Sequence, residues 1–416
     1  MTSTLWKDIS PLSRPLREPS AHSPHILIIG GGVTGLTTAW VLLDRGYRVT
    51  VLSSAWVNDE RRLTSQIAGA LWEYPPAVCG QHTDAISLAN SKQWCMTSYH
   101  IFDAIAAIPE LREASGVRMM PADFFFPMAV ETDAEQYAKM EEIRNSGVRG
   151  FQRGAHLIEE RGCDPSYGAV DAYELLSPII DTDKAMVWLT QLVASKGATY
   201  ITETLSGDLL FAEDSLRARF KADAIVNCTG IAAEVLAGDK SVYSIRGGLI
   251  RVINDGVDFP KLEAALIITQ DVDPDEIVFL VPRNDNILLI GGIAELRMAT
   301  LDLTLDTPII QRMRKRCEAF LPGLKNARLD PDYPFAQGLR PFRGQNVRNE
   351  RELRRSGSRI VHSYGHGGAG WSLSFGCASD VVLLVEEALA GIPAKSMADR
   401  PEAPKDAEYR EIRALL

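Results

Sequence analysis

The chain has 416 residues with a formal net charge of -10, and 24% of its residues are charged. This acidic balance argues against nucleic acid as a partner, because phosphate binding needs clustered basic residues. The length exceeds what one hydrophobic core usually supports, so we predict two domains. No apolar run reaches the roughly 18 residues that cross a bilayer, so we expect no membrane partner.

The terminal segments and the cysteines indicate the compartment. Residues 1–23 carry prolines, serines and mixed charge without the apolar core of a signal peptide, and the final RALL is not the Ser-Lys-Leu peroxisomal signal. The six cysteines are scattered with no C-x-x-C pair, and together with the seven histidines they form no metal-ligand spacing. We therefore expect a cytoplasmic protein with free thiols and no metal.

The first predicted unit is a strand, a glycine loop, a helix and a second strand. An apolar run at residues 25–29 lacks polar alternation, as expected of a parallel strand buried on both faces. The glycine loop (residues 30–35, GGGVTG) fits G-x-G-x-x-G, a helical pattern extends to residue 45, and residues 48–52 form the next strand. Strand, loop and helix at this spacing predict a dinucleotide site.

Each glycine of the loop has its own role in such a site. Gly30 allows the tight turn, Gly32 lets the pyrophosphate approach the backbone, and Gly35 lets the helix pack on the strand. The second strand should end in Asp or Glu to bind the adenosine ribose, but Ser53 and Ser54 stand there. Two interpretations stay open: one serine donates a weaker hydrogen bond, or both begin a loop.

Three segments far along the chain carry the same kind of pattern. Residues 222–230 form a buried strand with a small-residue turn, residues 338–341 read GLRP, and a strand at 360–364 precedes the C-terminal loop (residues 365–370, GHGGAG). A flavin ring must be buried by segments distant in sequence, whereas a nicotinamide site is usually completed within one compact domain. The dispersed segments therefore favour a flavin, with NAD(P) as the alternative.

Together with residues 64–72 (TSQIAGALW), these segments resemble the D-amino-acid oxidase family of FAD enzymes. Residues 244–250 and 348–352 add to the similarity, which runs with gaps from about residue 26 to 389 and is poor over 73–165. The resemblance implies oxidative deamination of a D-amino acid, with hydride transfer to flavin N5 and reduction of O₂ to H₂O₂. Alternatives are a D-aspartate-type or other amine-bearing-carboxylate oxidase, an NAD(P)-dependent dehydrogenase, and a non-catalytic flavin-binding protein.

The resemblance also implies which residues surround the cofactor, which we expect to be non-covalent FAD. They lie in the segments already described and in one later position that presents its backbone to the adenine: Gly30, Gly32, Val33, Thr34, Gly35, Ser53, Ser54, Thr64, Ser65, Gln66, Ala70, Leu71, Trp72, Leu205, Cys228, Thr229, Gly230, Gly367, Gly368, Gly370, Trp371 and Ser372.

The resemblance also implies residues on the substrate side. Arg340 is similar to the arginine that pairs with the substrate carboxylate, and a guanidinium grips a planar carboxylate with two bonds. The backbone carbonyl of Gly368 would accept from the substrate amine. Phe279 stands where the family normally has a tyrosine whose hydroxyl helps to hold the carboxylate. Asp275 falls near the position of a second, lid-like tyrosine of the family, with a solvated acidic turn as the alternative interpretation. Arg343 is the alternative candidate for the arginine that pairs with the substrate carboxylate.

The predicted fold is α/β, with a Rossmann-like FAD-binding domain around a mainly parallel sheet and an α+β substrate domain with antiparallel strands. The FAD-binding domain is discontinuous (24–72, 180–240 and 336–390), the substrate domain comprises 73–179 and 241–335, and 1–23 and 393–416 are polar tails. Strands are expected at 248–252, 265–269, 277–281 and 287–290. The sequence leaves the oligomeric state open, with a homodimer as the candidate assembly.

Overall fold

The computed structural model describes residues 4–6, 8–58, 62–77, 82–269 and 277–399. Within these ranges the strands are β1 His25–Ile29, β2 Arg48–Ser53, β3 Val117–Phe126, β4 Gln152–Arg153, β5 Asp171–Ile180, β6 Thr199–Thr202, β7 Ala224–Asn227, β8 Val242–Ile253, β9 Ala265–Thr269, β10 Ile277–Pro282, β11 Ile287–Gly291, β12 Glu295–Leu296, β13 Phe335–Arg343, β14 Arg348–Arg351 and β15 Ile360–Tyr364.

The α-helices of the same ranges are α1 Val33–Asp44, α2 Thr64–Ile67, α3 Ala85–Ala107, α4 Pro109–Ser115, α5 Ala134–Asn145, α6 His156–Glu160, α7 Thr182–Ser195, α8 Leu209–Phe220, α9 Ala233–Leu236, α10 Pro308–Phe320 and α11 Gly370–Leu389. Short 3₁₀ helices occur at Val130–Thr132, Pro165–Tyr167, Gly230–Ala232, Pro322–Asn326 and Met397–Asp399. None of these helices is both long and apolar enough to cross a membrane.

The smaller sheet has six strands in the order β14-β15-β7-β1-β2-β6. All neighbouring pairs are parallel except β14–β15. Strand β1 lies at the centre between β2 and β7, and helices α1, α7 and α11 cover one face while α8 covers the other. This burial on both faces explains why β1 is a continuous apolar run.

The larger sheet is mainly antiparallel, in the order β12-β8-β11-β10-β9-β3-β5-β4, with β13 added to β8. Only the β3–β9 pair is parallel among these described pairs. The four strands expected between residues 248 and 290 lie within β8, β9, β10 and β11. The predicted fold class, a mainly parallel sheet with helices beside an antiparallel one, is confirmed.

The predicted division into two domains stays a prediction. The strands of the smaller sheet fall in the three segments assigned to the FAD-binding domain, yet β13, in the third segment, pairs along its whole length with β8 of the larger sheet. Strand β13, which carries Arg340, therefore belongs to the larger sheet although its segment was assigned to the FAD-binding domain.

The described part of residues 1–23 is not the polar tail that its composition predicts. Leu5 and Ile9 are buried in the core that includes α1. The reason is the carboxylate of Asp44 at the end of α1, which accepts from Ser10 N at 2.8 Å and Leu16 N at 3.1 Å. Lys196 donates to the same carboxylate at 2.6 Å, and both side chains of this ion pair are fully buried.

We predict that Asp44→Ala lowers the free energy of unfolding by about 3–5 kcal/mol, because it leaves the Lys196 ammonium buried without its counter-charge. The backbone N–H groups of Ser10 and Leu16 also lose their acceptor. Denaturant unfolding monitored by tryptophan fluorescence measures the change.

Asp8→Ala is the matched control on the same segment. Asp8 pairs with Arg45 at 2.9 Å, but its side chain is 46% exposed, so its loss should cost no more than about 1 kcal/mol. Equal stabilities for the two variants would show that the Asp44 cluster does not hold the N-terminal segment.

Candidate active site

The glycine loop connects β1 to α1 where three backbone segments nearly touch. Gly30 has φ +120°, and a Cβ atom there would lie 2.3 Å from the carbonyl oxygen of Cys228. A Cβ atom at Gly35 would lie 1.9 Å from the carbonyl oxygen of Gly30. Any side chain at either position would push the backbone apart, so both glycines are required by the turn itself.

The start of α1 faces the segment 64–72. The N–H of Val33 donates to Ser65 Oγ at 3.1 Å, and a Cβ atom at Gly32 would lie 3.2 Å from the same hydroxyl. The remaining N–H groups of a first helical turn have no partner within the helix, and the helix dipole there favours negative charge. This turn can therefore bind the phosphates of a dinucleotide.

The C-terminal loop is tied to both other segments. Gly367 N donates to Pro341 O at 2.9 Å, which joins the loop to β13 beside Arg340. Trp371 Nε1 donates to Ser65 O at 2.9 Å, which joins the start of α11 to the segment 64–72. Parts of the chain about 300 residues apart are thus brought together, as the dispersed small-residue patterns predict.

These segments enclose a cavity of about 440 Å³ that extends from the glycine loop to β10 and β13. Nearly all the predicted cofactor and substrate residues line it: Gly30, Gly32, Val33, Thr34, Ser53, Ser54, Thr64, Ser65, Ala70, Leu71, Leu205, Cys228, Thr229, Gly230, Phe279, Arg340, Gly367, Gly368, Gly370, Trp371 and Ser372.

Three predicted cofactor residues do not line the cavity. Gly35 lies behind the loop, where its role is the close packing of α1 on Gly30. The side chain of Gln66 is buried and accepts from Leu63 N at 3.0 Å. Trp72 is 2% exposed and donates to Cys95 O at 3.0 Å within an aromatic cluster. The side chains of Gln66 and Trp72 therefore fix the shape of the segment 64–72, and the assignment of these two residues to the cofactor stays a prediction.

Two buried polar atoms beside the cavity have no hydrogen-bond partner within the described ranges. They are Ser363 Oγ, at the end of β15, and His366 Nε2, in the C-terminal loop. Burial lowers the pKa of His366 to about 4, so its imidazole is neutral at pH 7. The backbone carbonyl of His366 accepts from Ala369 N at 2.9 Å, and this bond closes the turn of the C-terminal loop. Unpartnered buried polar atoms are rare in folded proteins and point to a missing ligand.

Arg340 and Arg343 lie on the same strand but have different partners. Arg340 Nη1 donates to the carbonyl of Ile293 at 3.0 Å, and within the described residues no carboxylate lies within ion-pair distance of its guanidinium. Arg343 instead pairs with Asp239 at 2.6 Å and donates to Asn346 O at 2.9 Å. Residues three apart on a strand point to opposite faces, which leaves Arg340 available to the cavity and Arg343 in a structural ion pair.

Phe279 lies on β10 with its ring against the segment 64–72. A Cβ atom at Gly69 would lie 2.6 Å from this ring. Around Phe279 the cavity is lined by apolar side chains, among them Ile277 and Ile293. No hydroxyl is available at this position to hold a carboxylate. Asp275, the other residue considered for this end, lies outside the described residues.

Two acidic side chains also line the cavity. Glu73 pairs with Lys139 at 3.4 Å, and Glu203 pairs with Arg219 at 2.6 Å. Sequence reasoning missed Glu203 because the acidic residue was sought at the end of the second strand. The sequence feature that could have revealed Glu203 is its position directly after the strand at Thr199–Thr202. No group of three or more His, Cys, Asp or Glu side chains that could hold a metal occurs in the described part of the chain.

Comparison with known proteins decides the family. The model of the FAD dependent oxidoreductase (DAO) family matches residues 25–383. The chain belongs to this family. It is 30% identical to a D-amino-acid oxidase of Streptomyces coelicolor, over 86% of this chain and 96% of that protein. It is 29% identical to a D-amino-acid oxidase of Rubrobacter xylanophilus, over 88% and 96%.

A solved structure with the same fold is similar as well. The glycine oxidase of Bacillus cereus matches with a TM-score of 0.66 and 18% identity, over 92% of this chain and all of that chain. The family makes the chain an FAD-dependent oxidoreductase, so FAD and not a nicotinamide is its cofactor. The structure fits this cofactor on two observations: the glycine loop and the first turn of α1 line the cavity with backbone that can bind a pyrophosphate, and Ser363 and His366 offer unpartnered polar atoms.

We predict that the FAD is released into the supernatant by acid precipitation. Cys228 is the one cysteine among the described residues that line the cavity, and burial raises the pKa of its thiol to about 12, so the thiolate that could attack a flavin is scarce. Absorbance spectra of the supernatant and of the washed pellet test this. Flavin that stays with the pellet would contradict non-covalent binding.

We predict that acid weakens the fold partly through His366. Burial lowers its pKa from 6.5 to about 4, so the unfolded chain takes up a proton as the pH falls below 6.5 while the folded protein does not. Stability present at neutral pH is therefore lost as the pH falls toward 4. Between pH 7 and pH 5 the wild-type apoprotein should lose about 2 kcal/mol more unfolding free energy than His366→Asn. Equal losses would contradict a buried neutral imidazole.

Proposed function

We propose that the protein oxidises a D-amino acid to the imino acid and passes the electrons to O₂. The observation that carries this proposal is Arg340, a guanidinium lining an otherwise apolar end of the FAD cavity, whose described hydrogen bond goes to a backbone carbonyl. An α-amino acid presents the planar carboxylate that such a group binds with two parallel bonds. The D configuration is proposed because the relatives with 30% and 29% identity are D-amino-acid oxidases.

Local packing orients the Arg340 side chain. Its bond to Ile293 O fixes one edge of the guanidinium, and the absence of a side chain at Gly247 leaves the space that it occupies, since a Cβ atom there would lie 2.6 Å from the guanidinium. The remaining N–H groups can receive the substrate carboxylate. A pair formed in this apolar surrounding is stronger than one in water, and it places the substrate Cα for reaction.

The reaction needs few further protein groups. FAD supplies the acceptor for the hydride that leaves Cα. Among the described lining residues, the carbonyl of Gly368 is the group we propose to accept a hydrogen bond from the substrate amine and so to orient it. The amine reacts in its neutral form, and its lone pair becomes the C=N bond. The imino acid then hydrolyses to the 2-oxo acid and ammonia, and O₂ takes two electrons and two protons to give H₂O₂.

A D-aspartate-type specificity is less well supported. Among the lining residues that the structure describes, Arg340 is the one with a cationic side chain, because the imidazole of His366 is neutral at pH 7. A second substrate carboxylate would therefore be buried without a counter-charge, which costs several kcal/mol. The homodimer and the cytoplasmic location stay predictions.

An anaerobic panel of D-amino acids tests the proposal. The holoprotein is mixed with each D-amino acid in the absence of O₂, and bleaching of the flavin absorbance identifies a substrate. We expect bleaching by D-amino acids with apolar side chains, none by their L forms, and peroxide after air is admitted. Bound FAD that no member of the panel reduces would instead indicate a flavin-binding protein without this activity.

We predict that Arg340→Ala lowers kcat/KM by a factor on the order of 10² to 10³. Removing the guanidinium leaves the substrate carboxylate unpaired in a water-poor pocket at a cost of about 2–5 kcal/mol, and about 1.4 kcal/mol corresponds to one factor of ten. Arg340→Lys should recover only part of the loss, since an ammonium cannot form the two-pronged contact. Steady-state peroxide production measures both variants.

Arg343→Ala is the control on the same strand. It should keep kcat/KM near the wild-type value while losing stability, because Arg343 holds Asp239 rather than the cavity. Loss of activity in Arg343→Ala together with normal kcat/KM in Arg340→Ala would show that the two arginines have the opposite roles.

A further inference from the structure

The hydroxyl of Ser53 is already used within the protein. The second strand of a dinucleotide-binding unit normally ends in a carboxylate that binds the adenosine ribose, and here β2 ends at Ser53. Ser53 Oγ accepts from Gly31 N at 3.1 Å and donates to Ala55 O at 2.7 Å. It therefore holds the glycine loop against β2 and has no proton left to donate to a ribose.

A carboxylate reaches the same edge of the sheet from the neighbouring strand. Strand β6 is parallel to β2 with Thr202 opposite Ser53, and the next residue, Glu203, donates its N–H to Ser53 O at 3.0 Å. The carboxyl ends of parallel strands meet at one edge of the sheet. Glu203, the first residue after β6, therefore lies at the same edge as an acidic residue that directly follows β2. Its side chain lines the cavity together with Thr204 and Leu205.

Arg219 holds this carboxylate in place. Its Nη1 and Nη2 atoms donate to Glu203 Oε1 at 2.8 Å and to Oε2 at 2.6 Å, from the last turn of α8. The hydrogen bond from Arg219 lowers the pKa of Glu203, which keeps the group ionised. A carboxylate has about four lone-pair positions, and the two hydrogen bonds from Arg219 use two of them. Glu203 can therefore still accept hydrogen bonds from the hydroxyls of a diol. The side chain is 29% exposed, so it is within reach of a ligand.

We propose that Glu203 takes the place of the missing second-strand carboxylate and accepts hydrogen bonds from the adenosine ribose hydroxyls of FAD, with Arg219 as the residue that positions it. The proposal rests on the family's cofactor and not on the identity of the substrate. The described residue after β2 that competes for this contact is Ser54, which is exposed and also lines the cavity.

The test is the affinity of the apoprotein for FAD, measured by quenching of flavin fluorescence. Glu203→Gln keeps the size of the side chain but removes the charge, and we expect a Kd for FAD raised by on the order of tenfold. The Kd for FMN, which has no adenosine, should not change. Glu234→Gln, at an exposed acid paired with Lys240 at 3.6 Å, is the matched control and should bind both flavins normally.

An FAD analogue without the 2′-hydroxyl of the adenosine ribose isolates the contact. The wild-type protein should bind this analogue more weakly than FAD, whereas Glu203→Gln should bind the two almost equally. Arg219→Met should weaken FAD binding less than Glu203→Gln does, and Arg219→Lys should recover part of that loss.

Three outcomes would overturn the proposal. Normal FAD affinity in Glu203→Gln with weakened affinity in Ser54→Ala would assign the ribose to the serine. Equal weakening toward FAD and FMN would show that the substitution acts through the fold. Normal affinity in both variants would show that neither side chain binds the ribose. Since no substrate is used, these results are independent of whether any D-amino acid reduces the flavin.

Discussion

The structure depends on the contact between three backbone segments at the glycine loop. Gly30 and Gly35 bring the start of α1 against the end of β1, and the carbonyl of Cys228 leaves no room for a side chain at Gly30. This contact fixes where α1 begins, and with it the direction in which its unpaired N–H groups point. It also sets β7 beside β1, so the segment after β7 reaches the cavity. The remaining cofactor residues are placed relative to this point.

The second organising element is β13, which belongs to the larger sheet but ends beside the C-terminal loop of the smaller one. Gly367 N donates to Pro341 O, so the C-terminal loop and the strand that carries Arg340 are held in one geometry. The fold therefore fixes the position of Arg340 relative to the C-terminal loop through a backbone hydrogen bond. The ring of Phe279 lines the same cavity.

The features that could be predicted from the sequence are local ones. The glycine loop, the apolar run of β1 and the strands between residues 248 and 290 each carry their signal within a few residues. Trp72 and Glu203 could not be placed this way. The direction of the Trp72 indole depends on its hydrogen bond to Cys95 in α3, and the position of the Glu203 carboxylate depends on the register of β2 against β6. The burial of Leu5 and Ile9 could not be predicted either, because their segment is tied to α1 by hydrogen bonds from Ser10 and Leu16 to Asp44, 34 and 28 positions along the chain.

Ser65 shows how completely the cavity depends on the finished fold. Its hydroxyl accepts from Val33 N near the start of the chain, and its carbonyl accepts from Trp371 near the other end. A fragment that lacks either segment lacks one wall of the cavity, so FAD affinity is a property of the assembled chain only. Free FAD at one hundred times its Kd would shift the folding equilibrium by about 2.7 kcal/mol toward the native state, so the cofactor that the finished fold binds also stabilises that fold.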